Sequence, residues 1–184
     1  KADKEELNPE VALAIVKLIR IFPIEIFNSE LISAVSNIAK CLKSKVESLR
    51  VTARKTLCDL ASDLGPFFLG FIIRELSIHL TKGFEVHVRN YTIFKLLDRL
   101  IGLHNSSDDD EELENEEEKE KNKKINYGEI DYCVKDISEM VLDEIAGSLA
   151  QEKEAKEVRT RIKEYAKNKG CDCFRMISSR LDFK

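Results

Sequence analysis

The chain has 184 residues, of which 43% are hydrophobic and 35% are charged, with only 3 prolines and 7 glycines. Folds rich in strands and tight turns usually carry more proline and glycine, so this composition favours helices with one polar side. The formal net charge of −4 excludes a strongly basic chain. Nucleic-acid binding therefore cannot be assigned from charge alone.

The cysteines and the apolar runs indicate the environment of the protein. Five cysteines at irregular spacing do not form a disulfide framework, which favours a reducing, intracellular compartment. The apolar runs are too short to span a membrane, and no signal peptide is recognisable. Residue 1 is lysine rather than methionine, so we expect a part of a longer protein. Cys171 and Cys173 form a C-x-C motif, which is a weak indication of a metal or redox site.

The first predicted helix spans residues 9–22, with Pro9 in its first turn. Its apolar residues fall at helical spacing, and we expect them to form its core-facing side. They are Val11, Ala14, Ile15, Leu18 and Ile19. Asn28 or Ser29 is suited to cap the next helix, with Glu30 just inside it.

Four further helices form two pairs that repeat, with joining turns at 43–47 and 82–86. In the first helix of each pair, Leu31, Val35, Ile38 and Leu42 recur as Leu69, Ile73, Leu76 and Leu80 at an offset of 38. In the second helix, Leu49, Arg50, Leu57 and Leu64 recur as Val88, Arg89, Leu96 and Leu103 at an offset of 39. A helix pair that repeats near 40 residues is typical of HEAT and armadillo proteins. The predicted fold is therefore all-α, a solenoid of stacked antiparallel helix pairs.

The repeats are predicted to occupy residues 1–104, and an acidic insertion follows at 105–126. Residues 105–124 hold ten acidic residues and four lysines, a charge of −6 that leaves +2 for the rest of the chain. Such a segment has little apolar surface to bury, so we expect it to be disordered. Residues 127–184 are predicted to form one more apolar helix, a long, mostly solvated polar helix over 151–169 that ends at Gly170, and a short terminal helix.

Arg50 and Arg89 occupy the same position in successive repeats. An arginine at this position in HEAT repeats commonly donates hydrogen bonds to the turn within its repeat or to the next repeat. A phosphate contact is the alternative, because several basic residues lie nearby in the sequence. We favour the structural interpretation for both arginines.

Two groups of basic residues are candidates for contacts with RNA or with proteins. The first is Lys43, Lys45, Arg54 and Lys55, and the second is Lys156, Arg159, Lys163 and Lys167. Helical spacing places the second group roughly on one side of the polar helix. Acidic residues are interleaved with it at Glu152, Glu154, Glu157 and Glu164, so ordinary solvated charges remain an alternative.

No combination of residues in the sequence predicts catalysis. His79, His87 and His104 are scattered, His87 falls in a predicted turn, and none pairs with a cysteine or carboxylate at the spacing of metal ligands. No phosphate-binding glycine loop, nucleophile elbow or kinase motif is present in the sequence. We therefore expect neither an enzyme nor a cofactor, metal or small-molecule substrate.

Several stretches of the chain resemble one protein family, over most of the sequence from about Val46 onward except the acidic insertion. They are residues 64–69, 73–76, 80–88, 143–147, 151–154 and 167–181, which include Gly-Pro-Phe-Phe, Ile-Arg-Glu-Leu and Lys-Asn-Lys-Gly-Cys-Asp-Cys-Phe. They are similar to the late repeats of the giant U-three snoRNA-associated proteins of the small-subunit processome, also called the down-regulated-in-metastasis family.

The resemblance implies a long HEAT solenoid of the nucleolus that holds pre-ribosomal proteins and pre-rRNA or snoRNA in a large particle. It implies a scaffold needed for pre-rRNA processing, with no catalytic residues to carry over. The same architecture also serves adaptors for nuclear transport and for kinase or phosphatase complexes, and the repeats alone do not separate these functions.

Overall fold

The computed structural model describes residues 9–19, 21–101, 125–146, 164 and 169–182. In these ranges the chain is helical and contains no strand, which confirms the predicted all-α class. The helices are α1 (Pro9–Ile19), α2 (Ile24–Cys41), α3 (Glu47–Leu64), α4 (Leu69–His79), α5 (Phe84–Ile101), α6 (Val134–Ala146) and α7 (Gly170–Ser178). Short 3₁₀ turns, Pro66–Phe68 and Asp131–Cys133, precede α4 and α6.

The helices form two layers. Helices α2, α4 and α6 pack in succession in one layer, and α1, α3, α5 and α7 pack in succession in the other. Across the layers, α2 pairs with α3, α4 with α5 and α6 with α7. This arrangement is that of an α-solenoid, in which each pair contacts its neighbours along the chain. The HEAT or armadillo type of the repeat stays a prediction from sequence.

The recurring apolar residues of α2 and α4 form the centre of the core. All eight are buried, from Leu31 at 3% exposure to Val35, Ile38 and Leu76 at 0%. The four-residue spacing that defines the repeat therefore marks the side of each helix that faces the next layer. Burial of this continuous core is the main stabilising contribution to the fold.

Helix α1 packs with a different side from the one predicted. Val16 is 1% exposed and Leu13 is partly buried, whereas Val11, Ile15 and Leu18 are 52%, 42% and 65% exposed. The prediction of the core-facing side was wrong because α1 is apolar on nearly every side. Periodicity cannot select one face of such a helix.

Helix α2 also begins earlier than predicted. Its N-cap is Pro23, and the amide of Phe27 donates to the carbonyl of Pro23 over 3.0 Å. Asn28 and Ser29 lie inside the helix, where the Ser29 hydroxyl donates to the carbonyl of Ile26. The predicted cap at Asn28 or Ser29 was therefore wrong, because the helix already begins at Ile24, about one turn earlier.

Two other boundaries also differ from the sequence prediction. His87 lies in α5 and is 8% exposed, rather than in a turn. Gly170 is the first residue of α7, and the helix that it was predicted to end lies outside the described residues apart from Glu164 and Lys169. Ile125, assigned to the acidic insertion, is 1% exposed, and its amide donates to the carbonyl of Leu100.

The predicted acidic insertion lies outside the described residues, apart from residues 125 and 126. The same holds for the predicted polar helix, apart from Glu164 and Lys169. The domain limits of 1–104, 105–126 and 127–184 stay predictions.

The structure also shows a third helix pair. Because α7 packs on α5 and α6, it occupies the position of the second helix of this pair, with α6 as the first.

Candidate interaction site

Arg50 lies in the first turn of α3 and is 1% exposed. Its Nη1 donates to the carbonyl of Ser44, in the turn between α2 and α3, over 3.0 Å. Its Nε and Nη2 donate to the two carboxylate oxygens of Glu164, each over 2.9 Å. One guanidinium therefore joins the turn of its own repeat to a residue 114 positions further along the chain.

Arg54 lies one helical turn after Arg50 and contacts the same carboxylate. Its Nη2 donates to Oε1 of Glu164 over 2.7 Å, and its guanidinium carbon lies 4.6 Å from the ring centre of Tyr91 on α5. Arg54 is 6% exposed, and its buried Nε has no hydrogen-bond partner within the described part of the chain. We call Arg50 and Arg54 the arginine pair.

The arginine pair determines the ionisation of Glu164, which is 4% exposed. Burial by itself raises the pKa of this carboxyl group. The hydrogen bonds from Arg50 and the charge of Arg54 outweigh burial and hold the pKa of Glu164 at about 2. Glu164 is therefore ionised near neutral pH and has two cationic partners.

Arg89 lies in the second turn of α5, at the position of the repeat that corresponds to Arg50. Its Nη1 donates to the carbonyl of Leu80, in the turn between α4 and α5, over 3.4 Å. Its Nη2 lies 3.5 Å from the carbonyl of Met140 on α6. The side-chain Nδ2 of Asn90 donates to the same carbonyl over 3.2 Å. These contacts to the turn and to the next pair agree with the structural interpretation of the repeat arginines.

The basic candidates fall into three groups. Lys43, Lys45 and Lys55 are exposed, and Lys43 Nζ lies 3.9 Å from the Glu85 carboxylate. Arg54 is buried against Glu164 and Tyr91, so the structure corrects its prediction as a surface contact. The basic residues of the predicted polar helix lie outside the described residues, so their role as contacts stays a prediction from sequence. They are Lys156, Arg159, Lys163 and Lys167.

The sequence prediction missed the burial of Glu164, which it treated as an ordinary solvated charge. No local pattern distinguishes this residue from its acidic neighbours. The burial of Arg54 did have a signal, because residues four apart share one side of a helix and Arg50 was expected to be structural.

Ser36, His79 and Glu75 form the described cluster that most resembles a catalytic site. Ser36 Oγ lies 2.7 Å from Nε2 of His79, and a Glu75 oxygen lies 3.7 Å from the same nitrogen. Glu75 and His79 lie four residues apart on α4, so for His79 the prediction that no histidine has a carboxylate at the spacing of metal ligands overlooked this pair. A catalytic triad needs the carboxylate on the other ring nitrogen, so this geometry does not orient the imidazole as a base for Ser36. Burial lowers the pKa of His79.

The parts of the chain that the structure describes contain neither a metal-binding cluster nor a membrane-spanning helix. No group of three or more His, Cys, Asp or Glu side chains there is arranged to hold a metal ion. No helix in those ranges is both long and apolar enough to cross a membrane.

The layered helix pairs and their buried arginines define a segment of a helical-repeat protein. A family model described as the U3 small nucleolar RNA-associated protein 20 domain matches residues 1–184. The chain therefore belongs to this family, which confirms the resemblance found in the sequence.

Two curated relatives carry the name U3 small nucleolar RNA-associated protein 20. The Schizosaccharomyces pombe protein is 27% identical over 177 residues, which covers 96% of this chain and 6% of the relative. The Saccharomyces cerevisiae protein is 28% identical over 149 residues, which covers 81% of this chain and 5% of the relative. The chain thus spans about one-twentieth of the length of these relatives.

Proposed function

We propose that this chain is a scaffold segment of a nucleolar protein that acts in small-subunit processome assembly and pre-rRNA processing. Membership of the U3 small nucleolar RNA-associated protein 20 family is the observation that carries the proposal. The stacked pairs support it, because a solenoid offers an extended surface for many weak contacts. The proposed partners are pre-ribosomal proteins and RNA, held without catalysis.

Exposed lysines at one edge of the solenoid are the proposed contact residues. Lys43 and Lys45 lie in the α2–α3 turn, and Lys82 lies in the corresponding α4–α5 turn. The two turns are neighbours, because Lys43 approaches Glu85 at the start of α5. Lys40 is exposed in the last turn of α2, and together with Lys43, Lys45 and Lys82 it forms what we call the basic edge. Lysine side chains at such an edge are suited to contact phosphate groups.

Other basic residues belong to the proposal with less structural support. Lys55 is exposed on α3, away from the α2–α3 turn. Lys156, Arg159, Lys163 and Lys167 are proposed from sequence alone. The arginine pair is not included, because its guanidinium groups are directed at Glu164.

Co-sedimentation tests the proposed function. The full-length protein is tagged at its natural locus, and cell extracts are separated on a sucrose gradient. We expect the protein to travel with large particles that contain U3 RNA and pre-rRNA. Recovery only in soluble complexes with import receptors, kinases or phosphatases would contradict the proposal and favour an adaptor.

Charge reversal tests the proposed contact residues. The variant Lys43→Glu with Lys45→Glu is compared with a control, Lys135→Glu with Arg175→Glu, whose side chains are 84% and 70% exposed on α6 and α7. We expect the first variant to reduce particle association several-fold, because phosphate contacts depend on each cation. Equal association of both variants, with normal pre-rRNA processing, would show that the basic edge is not a contact.

A further inference from the structure

The turns that lead from one helix pair to the next lie at the edge of the solenoid opposite the basic edge, because each helix runs from one edge to the other. Contacts join these turns. Phe27, in the first turn of α2, packs edge-to-face on Phe68, with ring centres 6.3 Å apart, and Tyr132 before α6 donates to the carbonyl of Phe67 before α4. Phe67, Tyr127 and Tyr132 are 75%, 69% and 54% exposed, and we call these three residues the aromatic edge.

Tyr132 is held in place although more than half of it is exposed. Its hydroxyl oxygen accepts a hydrogen bond from the amide of Gly70 over 2.9 Å. The hydroxyl in turn donates toward the carbonyl oxygens of Pro66 and Phe67, at 2.9 and 2.8 Å. A methyl group on Gly70 would lie 2.6 Å from Cε2 of the ring, so one side of the ring is seated on the backbone of α4. A ring fixed in this way loses little conformational freedom when a partner packs on its open side.

An open apolar groove lies beside Phe67 and has a volume of about 300 Å³. The residues that line it are Phe22, Ile24, Phe27, Leu64 and Phe68. Phe68 follows Phe67 directly in the chain, so the groove and the exposed ring of Phe67 are neighbours. Large apolar side chains that fill such depressions contribute most of the binding energy at protein interfaces. The groove can therefore accept one anchoring side chain of a partner.

The described residues around these turns are mainly acidic. The segments that lie there are 21–25, 62–68, 126–132 and 179–182. They contain five acidic residues, which are Glu25, Asp63, Glu129, Asp131 and Asp182, and one basic residue, Arg180. Lys17 of α1 balances Asp63, with 3.4 Å between its Nζ and the carboxylate. The net charge of this edge is thus negative, which disfavours RNA phosphates and favours lysine and arginine.

One ring of the aromatic edge already packs against a cation of the chain itself. The guanidinium carbon of Arg180 lies 5.7 Å from the centre of the Tyr127 ring. The amide of Gly128 donates to the carbonyl of Arg180 over 2.9 Å, which fixes the arginine beside this turn. An aromatic ring with acidic neighbours attracts a guanidinium or ammonium group. The open side of Tyr132, next to Asp131, offers the same combination to a cation from outside.

We propose that the aromatic edge binds a segment of another protein in which a large apolar side chain is flanked by lysine or arginine. The apolar side chain enters the groove beside Phe67. A neighbouring cation packs on the open side of Tyr132 and pairs with Asp131. Exposed aromatic residues at a fixed position are typical anchors of protein interfaces. The inference concerns a different edge from the proposed RNA and protein contacts of the lysines, and it does not depend on them.

Site-specific photo-crosslinking in the full-length protein tests this proposal in the cell. Benzoylphenylalanine replaces Phe67 in one variant and Ile78 in a control, because Ile78 is also well exposed, at 59%, but lies in the last turn of α4. We expect Phe67 to yield a cross-link to another protein, within a few residues of a lysine or arginine, and Ile78 to yield none to that protein. A Phe67 cross-link to RNA, to the same polypeptide or to a segment without basic residues would overturn the proposal, as would the lack of any cross-link.

A binding measurement separates the apolar and the charged contributions. A synthetic peptide of the cross-linked segment is titrated into full-length variants and followed by fluorescence anisotropy. We expect Phe67→Ala to weaken binding at least about tenfold relative to Ile78→Ala, because an interface anchor is removed. Asp131→Lys should weaken binding more than Glu139→Lys, which changes a side chain 67% exposed on α6. Equal affinities within either pair of variants, or unchanged binding of a peptide whose lysines and arginines are replaced by glutamate, would overturn the proposal.

Discussion

Arg50 and Arg89 occupy the same position in successive repeats, yet their surroundings differ. Both donate to a carbonyl in the turn of their own repeat. Arg50 also holds the Glu164 carboxylate with two hydrogen bonds, whereas the further contacts of Arg89 include neutral oxygens of Asn90 and Met140. The repeat thus fixes where the arginine lies, and Glu164, from a distant part of the chain, adds a buried carboxylate at the position of Arg50.

The largest effect is expected for Glu164→Gln. This change removes the negative charge that both buried arginines contact, and it places an amide where two oxygens accept three hydrogen bonds. Breaking a buried ion pair costs about 3–5 kcal/mol, so the free energy of unfolding should fall by that order. Chemical denaturation of the purified variant measures it. A loss below about 1 kcal/mol would show that the carboxylate stays hydrated.

The pH dependence of stability provides a second test of Glu164. Its pKa in the folded protein, about 2, is lower than its ordinary value of 4.5. Because the folded-state pKa is the lower one, ionised Glu164 stabilises the fold above pH 4.5, and this contribution is lost as the pH falls toward 2. The stability difference between wild type and Glu164→Gln should therefore shrink across this window. A difference that stays constant with pH would contradict the ion-pair assignment.

Arg50→Ala should cost less than Glu164→Gln, on the order of 3 kcal/mol, because Arg54 still pairs with the carboxylate. A double-mutant cycle refines this estimate. In the Glu164→Gln background, Arg50→Ala should cost clearly less, because the interaction it removes is already lost. Additive effects of the two changes would mean that Arg50 acts only through the carbonyl of Ser44.

Arg89→Ala is expected to lower the free energy of unfolding by about 1–2 kcal/mol through the loss of its hydrogen bonds to oxygens of Leu80, Asn90 and Met140, which are 3.1–3.5 Å long. Measurement under the same conditions as Arg50→Ala makes the comparison direct. If Arg89→Ala were as destabilising as Arg50→Ala, the difference between the two repeats would not arise from the buried carboxylate.

The sequence predicted most of the fold because its determinants are local. The lines Leu31 to Leu42 and Leu69 to Leu80 recur at one spacing and are buried as expected. The incorrect prediction for the buried side of α1 shows where apolar spacing fails to identify the core-facing residues. When apolar residues surround a helix, its buried side depends on which neighbours are present, and periodicity contains no such information.

The buried cluster of Arg50, Arg54 and Glu164 was less predictable because its main contact is non-local. The position of Arg50 and its turn contact follow from the repeat. Its pairing with Glu164 joins residues 114 positions apart, and no spacing rule within a helix reaches that far. Other acidic residues lie near Glu164 in the same charged stretch of the sequence, and nothing in the local sequence distinguishes it from them. Its burial follows only from the folded structure, in which Arg50 and Arg54 of α3 contact its carboxylate.

We propose that this segment holds partners in a pre-ribosomal particle through its surface. Cross-linking of the natural protein inside purified particles that contain U3 RNA tests this proposal most directly, with mass spectrometry to locate the linked residues. We expect cross-links from the basic edge, including Lys43 and Lys45, to RNA or assembly proteins. Particles that contain the protein but show no cross-links from this segment, or particles that lack the protein altogether, would contradict the claim.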